Sequence, residues 1–234
     1  MPIDDQLNVG MSGLSILKVE AMVRKFLRRL RRNLQQERKV VESIPGEKGS
    51  DWYDQSFENH EHWKMHYTES PFYFLWAVIA DRIFLNHVES VLDIGCGPGQ
   101  FAQLLVDKKI MNYTGIDFSK KRIDWAKRVC PGYTFVFADV FSSNIIDKVQ
   151  YEAVTCLEFL EHVENDVGLI ARIPTGKKFF GSVPNFLFDS HVRYFKDMDE
   201  VADRYESQFS EFRVDEFLKN STGRKYFLLY GIKN

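Results

Sequence analysis

The sequence predicts an α/β protein built on a parallel β-sheet, and two observations carry this prediction. The apolar run from Val91 to Ile94 has the pattern of a buried strand and stops in a glycine-dense turn, Gly95 to Gly99, after which Phe101 to Lys109 has helical character. Strand-like and helix-like segments then alternate along the rest of the chain. A strand that ends in such a turn allows a ligand to contact backbone atoms closely at the end of the sheet. This arrangement favours a nucleotide-type binding site.

Residues 1–50 are predicted to be an N-terminal extension with one basic amphipathic helix, from about Leu14 to Ser43. Nine Lys or Arg and only two acids lie between Lys18 and Lys39. We favour a solvated basic face on a helix that packs against the rest of the chain or against a homodimer partner. Contact with an anionic membrane surface is the main alternative, and contact with nucleic acid is a weaker one.

Residues 51–88 are dense in aromatic and histidine side chains and are predicted to form a helical cap. The helical spacing of Phe72, Trp76, Ile79 and Ile83 favours a core role for those four residues. Aromatic walls with a few polar tips suit a small organic molecule. We therefore expect Tyr53, His66 and Tyr67 to face a substrate pocket.

The glycine turn matches two motifs of different specificity. Gly97 to Ala102 fits the loose dinucleotide fingerprint, which is a weak signal alone. The wider string Asp93-x-Gly95-x-Gly97-x-Gly99 resembles motif I of the class I S-adenosylmethionine (SAM) methyltransferases, and the resemblance extends over roughly residues 89–234. It implies a Rossmann-like, seven-stranded, mostly parallel sheet with an antiparallel C-terminal hairpin. It also implies that Gly95, Cys96, Gly97 and Gly99 approach the methionine half of SAM while Asp93 orders their loop.

Two further strands are each expected to end in an acid. Tyr113 to Asp117 places a carboxylate 20 residues after Gly97, where it can accept hydrogen bonds from both ribose hydroxyls. Tyr133 to Phe137 leads into Asp139 and Val140, and the resemblance implies adenine contacts there, with Phe118 packing on the ring. The competing interpretation is that each acid is only a helix N-cap.

The fourth predicted strand, Ala153 to Cys156, leads into the string Glu158-x-x-Glu161-His162. On one helical turn these three side chains share a face, and His191 could add a fourth ligand for a divalent metal, Mg²⁺ or Zn²⁺. The string resembles that of the ubiquinone-biosynthesis O-methyltransferases and, with the later histidine, that of the small-RNA terminal 2′-O-methyltransferases. In metal-free relatives the first acid lies near SAM, so Glu158 is also a cofactor candidate. His162 or His191 is then the candidate general base, oriented by Glu158 or Glu161.

The last elements are a fifth strand, Phe179 to Pro184, and a final pair, Phe212 to Phe217 and Tyr226 to Ile232. The connection before the fifth strand is shorter than in many relatives, which leaves the length of its helix open. Asn185 and Arg193 belong to an expected substrate loop after that strand. A chain that ends at Asn234, just after the last strand, is expected to be complete.

Composition narrows the possible functions. With 44% hydrophobic and 27% charged residues and a net charge of −2, the chain is typical of a globular protein and does not indicate nucleic-acid binding. Three cysteines cannot pair completely, and no apolar run approaches the ~20 residues of a membrane span, so we expect a cytoplasmic protein, peripheral at most.

The expected function is SAM-dependent O-methylation of a small acceptor such as a phenol, a sugar or a lipid-linked intermediate. RNA 2′-O-methylation and N-methylation remain alternatives within enzymes. A non-catalytic scaffold that docks through its basic helix is the alternative from another class.

Overall fold

The computed structural model describes residues 46–219 and 223–234. The predicted N-terminal helix, with its basic stretch 18–39, lies outside the described residues. Within the described part, no helix combines the length and the apolar character that a membrane crossing requires.

The segment before the sheet is helical. Helices α1 (Ser50–Asn59) and α2 (Tyr73–Leu85) flank two 3₁₀ turns, Glu61–Trp63 and Tyr67–Glu69. Helix α2 buries Trp76, Ile79 and Ile83, as their spacing predicts. The half-buried Phe72 is the N-cap residue of α2, and its ring stacks on Trp76.

Seven strands form one sheet with the order β3-β2-β1-β4-β5-β7-β6. The neighbours among β1 to β5 pair in parallel, and β7 runs antiparallel to both β5 and β6. This arrangement confirms the predicted mostly parallel sheet with an antiparallel C-terminal hairpin. The strands are β1 (Ser90–Ile94), β2 (Asn112–Asp117), β3 (Thr134–Phe137), β4 (Ala153–Leu157), β5 (Lys178–Pro184), β6 (Phe209–Leu218) and β7 (Lys225–Lys233).

Helices follow most of the parallel strands and cover the sheet: α3 (Gln100–Asp107), α4 (Lys120–Val129), α5 (Ile145–Lys148), α6 (Asp166–Ala171) and α7 (Met198–Tyr205). Successive residues of β1 enter opposite cores, Val91 on one side and Leu92 on the other, because side chains alternate along a strand. Both faces of the central strands are thus buried, as expected for a parallel sheet.

The structure differs from the sequence prediction after β4. The string that begins at Glu158 does not form a full helical turn but a 3₁₀ turn, Leu160–His162. Glu158 itself has a positive φ of 52°, so the chain bends sharply between the strand and this turn. The helix of the shortened connection, α6, has six residues.

Candidate functional site

Two cavities open at the carboxyl ends of the central strands, where β1 lies between β2 and β4 and the chain connections diverge to opposite sides. The larger has a volume of about 450 Å³ and the smaller about 140 Å³. The residues that line both are Tyr53, Gly95, Arg122, Glu158 and His162. The two cavities therefore meet around the glycine turn.

The glycines of the turn have different roles. Gly97 lines the larger cavity at a φ of 56°, and a Cβ built on it meets no protein atom within 4 Å. Gly99, at a φ of 86°, packs against α4, because its Cβ would lie 3.1 Å from the Ala126 side chain. A Cβ on Gly95 would overlap the Phe159 ring. Of these three, Gly97 is thus the residue whose missing side chain leaves space for a ligand.

Asp117 and Gly97 link β2 to the glycine turn. The Asp117 carboxylate accepts hydrogen bonds from the N–H groups of Gly97 at 3.0 Å and Ser119 at 2.7 Å. Burial raises the pKa of Asp117, while the nearby Arg122 guanidinium and these N–H groups oppose the rise. Ser119, not Asp117, is the N-cap of α4. The N-cap interpretation therefore does not account for this acid.

The smaller cavity contains the other residues expected near the nucleoside. Phe118, Asp139 and Val140 line it beside Asp117. Asp139 is exposed and accepts a hydrogen bond from the Phe141 N–H at 2.9 Å, as in an Asx turn. The structure thus brings together at one cavity the acids that end β2 and follow β3.

Asp93 differs from its expected role. Its carboxylate accepts hydrogen bonds from the hydroxyls of Tyr113 and Thr155, both at 2.6 Å, and so connects β1 to its two neighbouring strands. Burial raises its pKa to about 6. Both bonds go to strands rather than to the glycine turn, although Asp93 also lines the larger cavity. Cys96 lines this cavity too, with its Sγ 3.7 Å from the Gly97 carbonyl oxygen.

Glu161, His162 and His191 form a cluster in which one potential ligand atom from each lies within 4.8 Å of the others. Glu161 is fully buried, and neither carboxylate oxygen has a hydrogen-bond partner among the described residues. A buried, unpaired carboxylate is costly, so it either binds a proton or pairs with a cation. By contrast Asp166, equally buried, is bonded by Arg204 and Tyr205.

The two histidines present matching tautomers. Nδ1 of His162 lies 2.9 Å from the Ser190 carbonyl oxygen, and Nδ1 of His191 lies 3.1 Å from that of Phe186. A carbonyl only accepts, so each Nδ1 carries the hydrogen and each Nε2 keeps its lone pair. Burial lowers the pKa of His162 to about 3 and that of His191 to about 4, so both rings are neutral at neutral pH. Neutral imidazoles with a fixed tautomer are suited to metal binding or to proton acceptance.

Glu158 lies beside this cluster, not in it. Its N–H donates to the Ser182 hydroxyl, which in turn donates to the Glu158 carboxylate, both at 2.8 Å. Burial raises the pKa of Glu158 to about 7, and burial together with the nearby Glu158 carboxylate raises the pKa of Glu161. The structure therefore assembles three of the four predicted metal ligands, and Glu158 contacts both cavities instead.

Of the predicted substrate residues, only Tyr53 lines a cavity, where its ring lies 5.3 Å from Phe118 and 6.0 Å from His162, centroid to centroid. The exposed His66 caps a 3₁₀ turn, and Tyr67 donates to Asp107 at 2.5 Å.

Asn185 and Arg193 have bracing roles outside both cavities. Asn185 bonds the backbone of Gly223 and Lys225, which ties the end of β5 to the hairpin. The Arg193 guanidinium donates to the carbonyls of Leu160 and Val163, on either side of Glu161 and His162. Arg193 thus holds in place the turn that carries Glu161 and His162 of the cluster.

Two cations at the cavities were not found from the sequence. Arg122 is 7% exposed, lies over the rings of Tyr53 and Trp63 at 5.0 and 4.6 Å, and its Nε has no partner among the described residues. Lys219, at the end of β6, lines the larger cavity. No pattern marks either residue, because each reaches the cavity through the packing of separate elements.

Comparison with known proteins agrees with this geometry. A family model described as a methyltransferase domain matches residues 91–173. The ubiquinone biosynthesis O-methyltransferase of Dechloromonas aromatica is 33% identical over 102 residues, which are 40% of this chain and 44% of the relative. That of Actinobacillus pleuropneumoniae is 31% identical over 111 residues, 41% and 46% of the two chains. The chain thus spans about half the length of the curated relatives it matches.

Solved structures share the fold at low identity. The methyltransferase domain of bacterial CtHen1-C has a TM-score of 0.54 at 17% identity, covering 68% of this chain and 97% of that one. Magnesium protoporphyrin IX methyltransferase of Synechocystis PCC 6803, solved with bound SAH, has a TM-score of 0.59 at 14% identity, with 79% and 98% covered. The [4+2]-cyclase SpnF has a TM-score of 0.61 at 12% identity, with 82% and 99% covered, so the fold alone does not fix the reaction. The residues that match the methyltransferase-domain model, 91–173, contain strands β1 to β4 and the glycine turn of the seven-stranded sheet.

Proposed function

We propose that this chain is a SAM-dependent methyltransferase that methylates a hydroxyl group of a small-molecule acceptor. The observation that carries the proposal is the meeting of two cavities at the glycine turn, one bordered by the acids after β2 and β3 and the other by the Glu161–His162–His191 cluster. A methyl donor and an acceptor would then be held side by side, which is the main requirement for this reaction.

The residues at the turn fit SAM. The bare Cα of Gly97 leaves room for close approach, and Asp117 can accept hydrogen bonds from ribose hydroxyls. The buried Nε of Arg122 has no hydrogen-bond partner among the described residues and could donate to the carboxylate of the methionine moiety. SAM itself supplies an activated methyl group, so the protein has to position and activate only the acceptor.

The acid–histidine cluster fits the activation of a hydroxyl. The unpaired Glu161 carboxylate and the two Nε2 lone pairs are a donor set for a divalent cation, Mg²⁺ or Zn²⁺. A cation bound there would lower the pKa of an acceptor hydroxyl. Without a cation, the neutral His162 could accept the hydroxyl proton directly, because it lines both cavities. An amine acceptor would need neither a bound cation nor a general base, so the cluster favours O-methylation over N-methylation.

The larger cavity favours a small aromatic acceptor. Trp52, Trp63, Phe72, Trp76 and Phe186 all contribute to its lining, and their faces suit a planar ring. The names of the curated relatives agree with O-methylation of such a molecule. RNA 2′-O-methylation is less favoured because the net charge is −2.

The remaining expectations concern cellular context. We propose a cytoplasmic protein, because the three cysteines are buried and unpaired. Contact with a membrane surface or with a homodimer partner through residues 18–39 remains a proposal based on the sequence alone.

Calorimetric titration with S-adenosylhomocysteine (SAH), after chelator treatment and then with added Mg²⁺ or Zn²⁺, tests the proposal. We expect micromolar binding, followed by methyl transfer from labelled SAM in a screen of phenols, catechols and sugars. A metal effect on acceptor turnover would select the metal-assisted route over the histidine base. Absence of SAH binding in every condition would instead favour a non-catalytic scaffold.

A further inference from the structure

Lys219 occupies an unusual position at the wall of the larger cavity. Its Nζ donates to the Tyr226 hydroxyl and lies over the rings of Tyr226, Phe186 and Phe72, at 4.8, 5.0 and 5.3 Å from their centroids. All four residues line the cavity. A single ammonium is therefore surrounded by aromatic faces at the place where an acceptor would bind.

Glu158, on the same cavity wall, is the acid that acts on this ammonium, but the two groups are not close enough to form an ion pair. An ammonium has three N–H donors, and the Tyr226 hydroxyl accepts from one of them. None of the ion pairs within residues 46–219 and 223–234 involves Lys219. Lys225, a second lysine of the same hairpin, is by contrast paired with Glu216 at 2.7 Å.

Lys219 is also separated from the acid–histidine cluster by one aromatic ring. The Phe186 ring lies 5.0 Å from the Lys219 Nζ on one side and 6.1 Å from the His191 ring on the other, measured to centroids. An aromatic acceptor whose hydroxyl reaches the cluster could therefore carry a substituent to Lys219. Since the cavity wall is largely apolar there, a charge-assisted hydrogen bond would be strong.

We propose that Lys219 binds a carboxylate group of the acceptor, so that the substrate class is aromatic acids bearing a hydroxyl rather than neutral phenols. This inference rests on the proposed function, because it assigns the larger cavity to the acceptor. In a positioning role alone, Lys219 would orient the Tyr226 hydroxyl without distinguishing charged from neutral acceptors.

The test uses two probes that differ only in charge, 3,4-dihydroxyphenylacetate and 3,4-dihydroxyphenylacetamide. Their dissociation constants are measured by calorimetry on the full chain saturated with SAH, in the presence of Mg²⁺. Lys219→Met removes the ammonium with little change in length, and Lys219→Arg keeps the charge. Lys225→Met is the matched control on the same hairpin, outside the cavity.

We expect the wild-type chain and Lys225→Met to bind the acid at least about tenfold more tightly than the amide, the effect of one charge-assisted hydrogen bond. In Lys219→Met the preference should vanish through weaker binding of the acid alone, and Lys219→Arg should restore most of it. SAH affinity should be the same in all four proteins.

Four results would overturn the inference. In the wild-type chain these are equal affinity for the two probes, or binding of neither probe while SAH binds. In Lys219→Met they are an equal loss for both probes, or a loss of SAH affinity, which would assign Lys219 to the cofactor. Failure of the wild-type chain to bind SAH would be the distinct failure of the proposed function.

Discussion

The Asp117 carboxylate at the end of β2 accepts a hydrogen bond from the Gly97 N–H in the turn after β1, at 3.0 Å. One side chain therefore holds the turn in shape and borders the smaller cavity. Replacement of Asp117 should affect both the order of the turn and the affinity for the nucleoside.

Asp117→Ala should weaken SAH binding by about 1 to 3 kcal/mol, because charge-assisted hydrogen bonds to the ribose are lost. The protein should remain folded, since the bonds from Gly97 and Ser119 are local. Titration calorimetry measures the affinity and circular dichroism checks the fold. Asp124→Ala, on the exposed side of α4, is the control. Equal SAH affinity in the two variants would show that Asp117 does not bind the cofactor.

Arg122→Met should weaken SAH binding by about tenfold or more but leave the affinity for 5′-methylthioadenosine unchanged, because that compound lacks the carboxylate. Parallel titrations with both ligands give the comparison. Arg128→Met is matched to it, because Arg128 also lies over a ring on α4, 4.8 Å from the Trp125 centroid, but is exposed. A similar loss for both ligands would place Arg122 at the nucleoside instead.

His162→Ala should lower turnover by about a hundredfold or more, the usual size of a lost general base or ligand, while SAH affinity changes by only a few-fold. Steady-state methyl transfer to an accepted phenol, together with SAH titration, separates the two effects. His66→Ala removes an exposed ring outside both cavities and should leave turnover intact. Normal turnover of His162→Ala would exclude this residue from the mechanism.

Glu161→Gln should abolish stabilisation by divalent cations without destabilising the metal-free protein, because the carboxylate has no protein partner among the described residues to lose. Wild-type protein at a cation concentration 100-fold above Kd should gain about 2.7 kcal/mol, seen as a rise in Tm. Asp166→Asn should instead lower the Tm of the metal-free protein, since this equally buried acid pairs with Arg204 and Arg193. An unchanged cation response in Glu161→Gln would remove it from the ligand set.

Asp93 should make the stability of the ligand-free protein depend on pH. Its folded pKa of about 6 exceeds the ordinary value of 3.8, so the folded state holds this proton more tightly than the unfolded chain does. The resulting stabilisation is complete below about pH 4 and is lost as the pH rises through 6, up to about 3 kcal/mol in all. Asp93→Asn, which cannot ionise, should lack this component. Urea unfolding of both proteins from pH 4 to 7 measures it, and a constant difference between them would contradict the assignment.

The parts of this molecule that were predictable from sequence depend on short-range patterns. The run from Val91 to Ile94, the glycine turn and the acid of Asp117 all lie within single strand–turn units, so local composition was enough to locate them. The mostly parallel sheet with its antiparallel hairpin was expected from the resemblance to the class I methyltransferases, whereas the order of its strands was not predicted.

The larger cavity was less predictable because distant segments build it. Tyr67 and Arg193 were expected at the substrate, yet one bonds Asp107 and the other braces the 3₁₀ turn. Lys219 was missed because a lysine at a strand end carries no signal until the hairpin is placed beside α2 and β5. The bend at Glu158 also could not be foreseen, since nothing in its neighbours marks a positive φ.

The contact between Gly95 and the Phe159 ring couples two parts of the site, the glycine turn and the 3₁₀ turn that carries Glu161 and His162. Any side chain at position 95 would have to displace that ring, and the ring immediately precedes the turn that carries Glu161 and His162. Because Gly95 also has a φ of 75°, another residue there would be strained even if a smaller side chain replaced the ring, so position 95 should remain glycine in an evolving family.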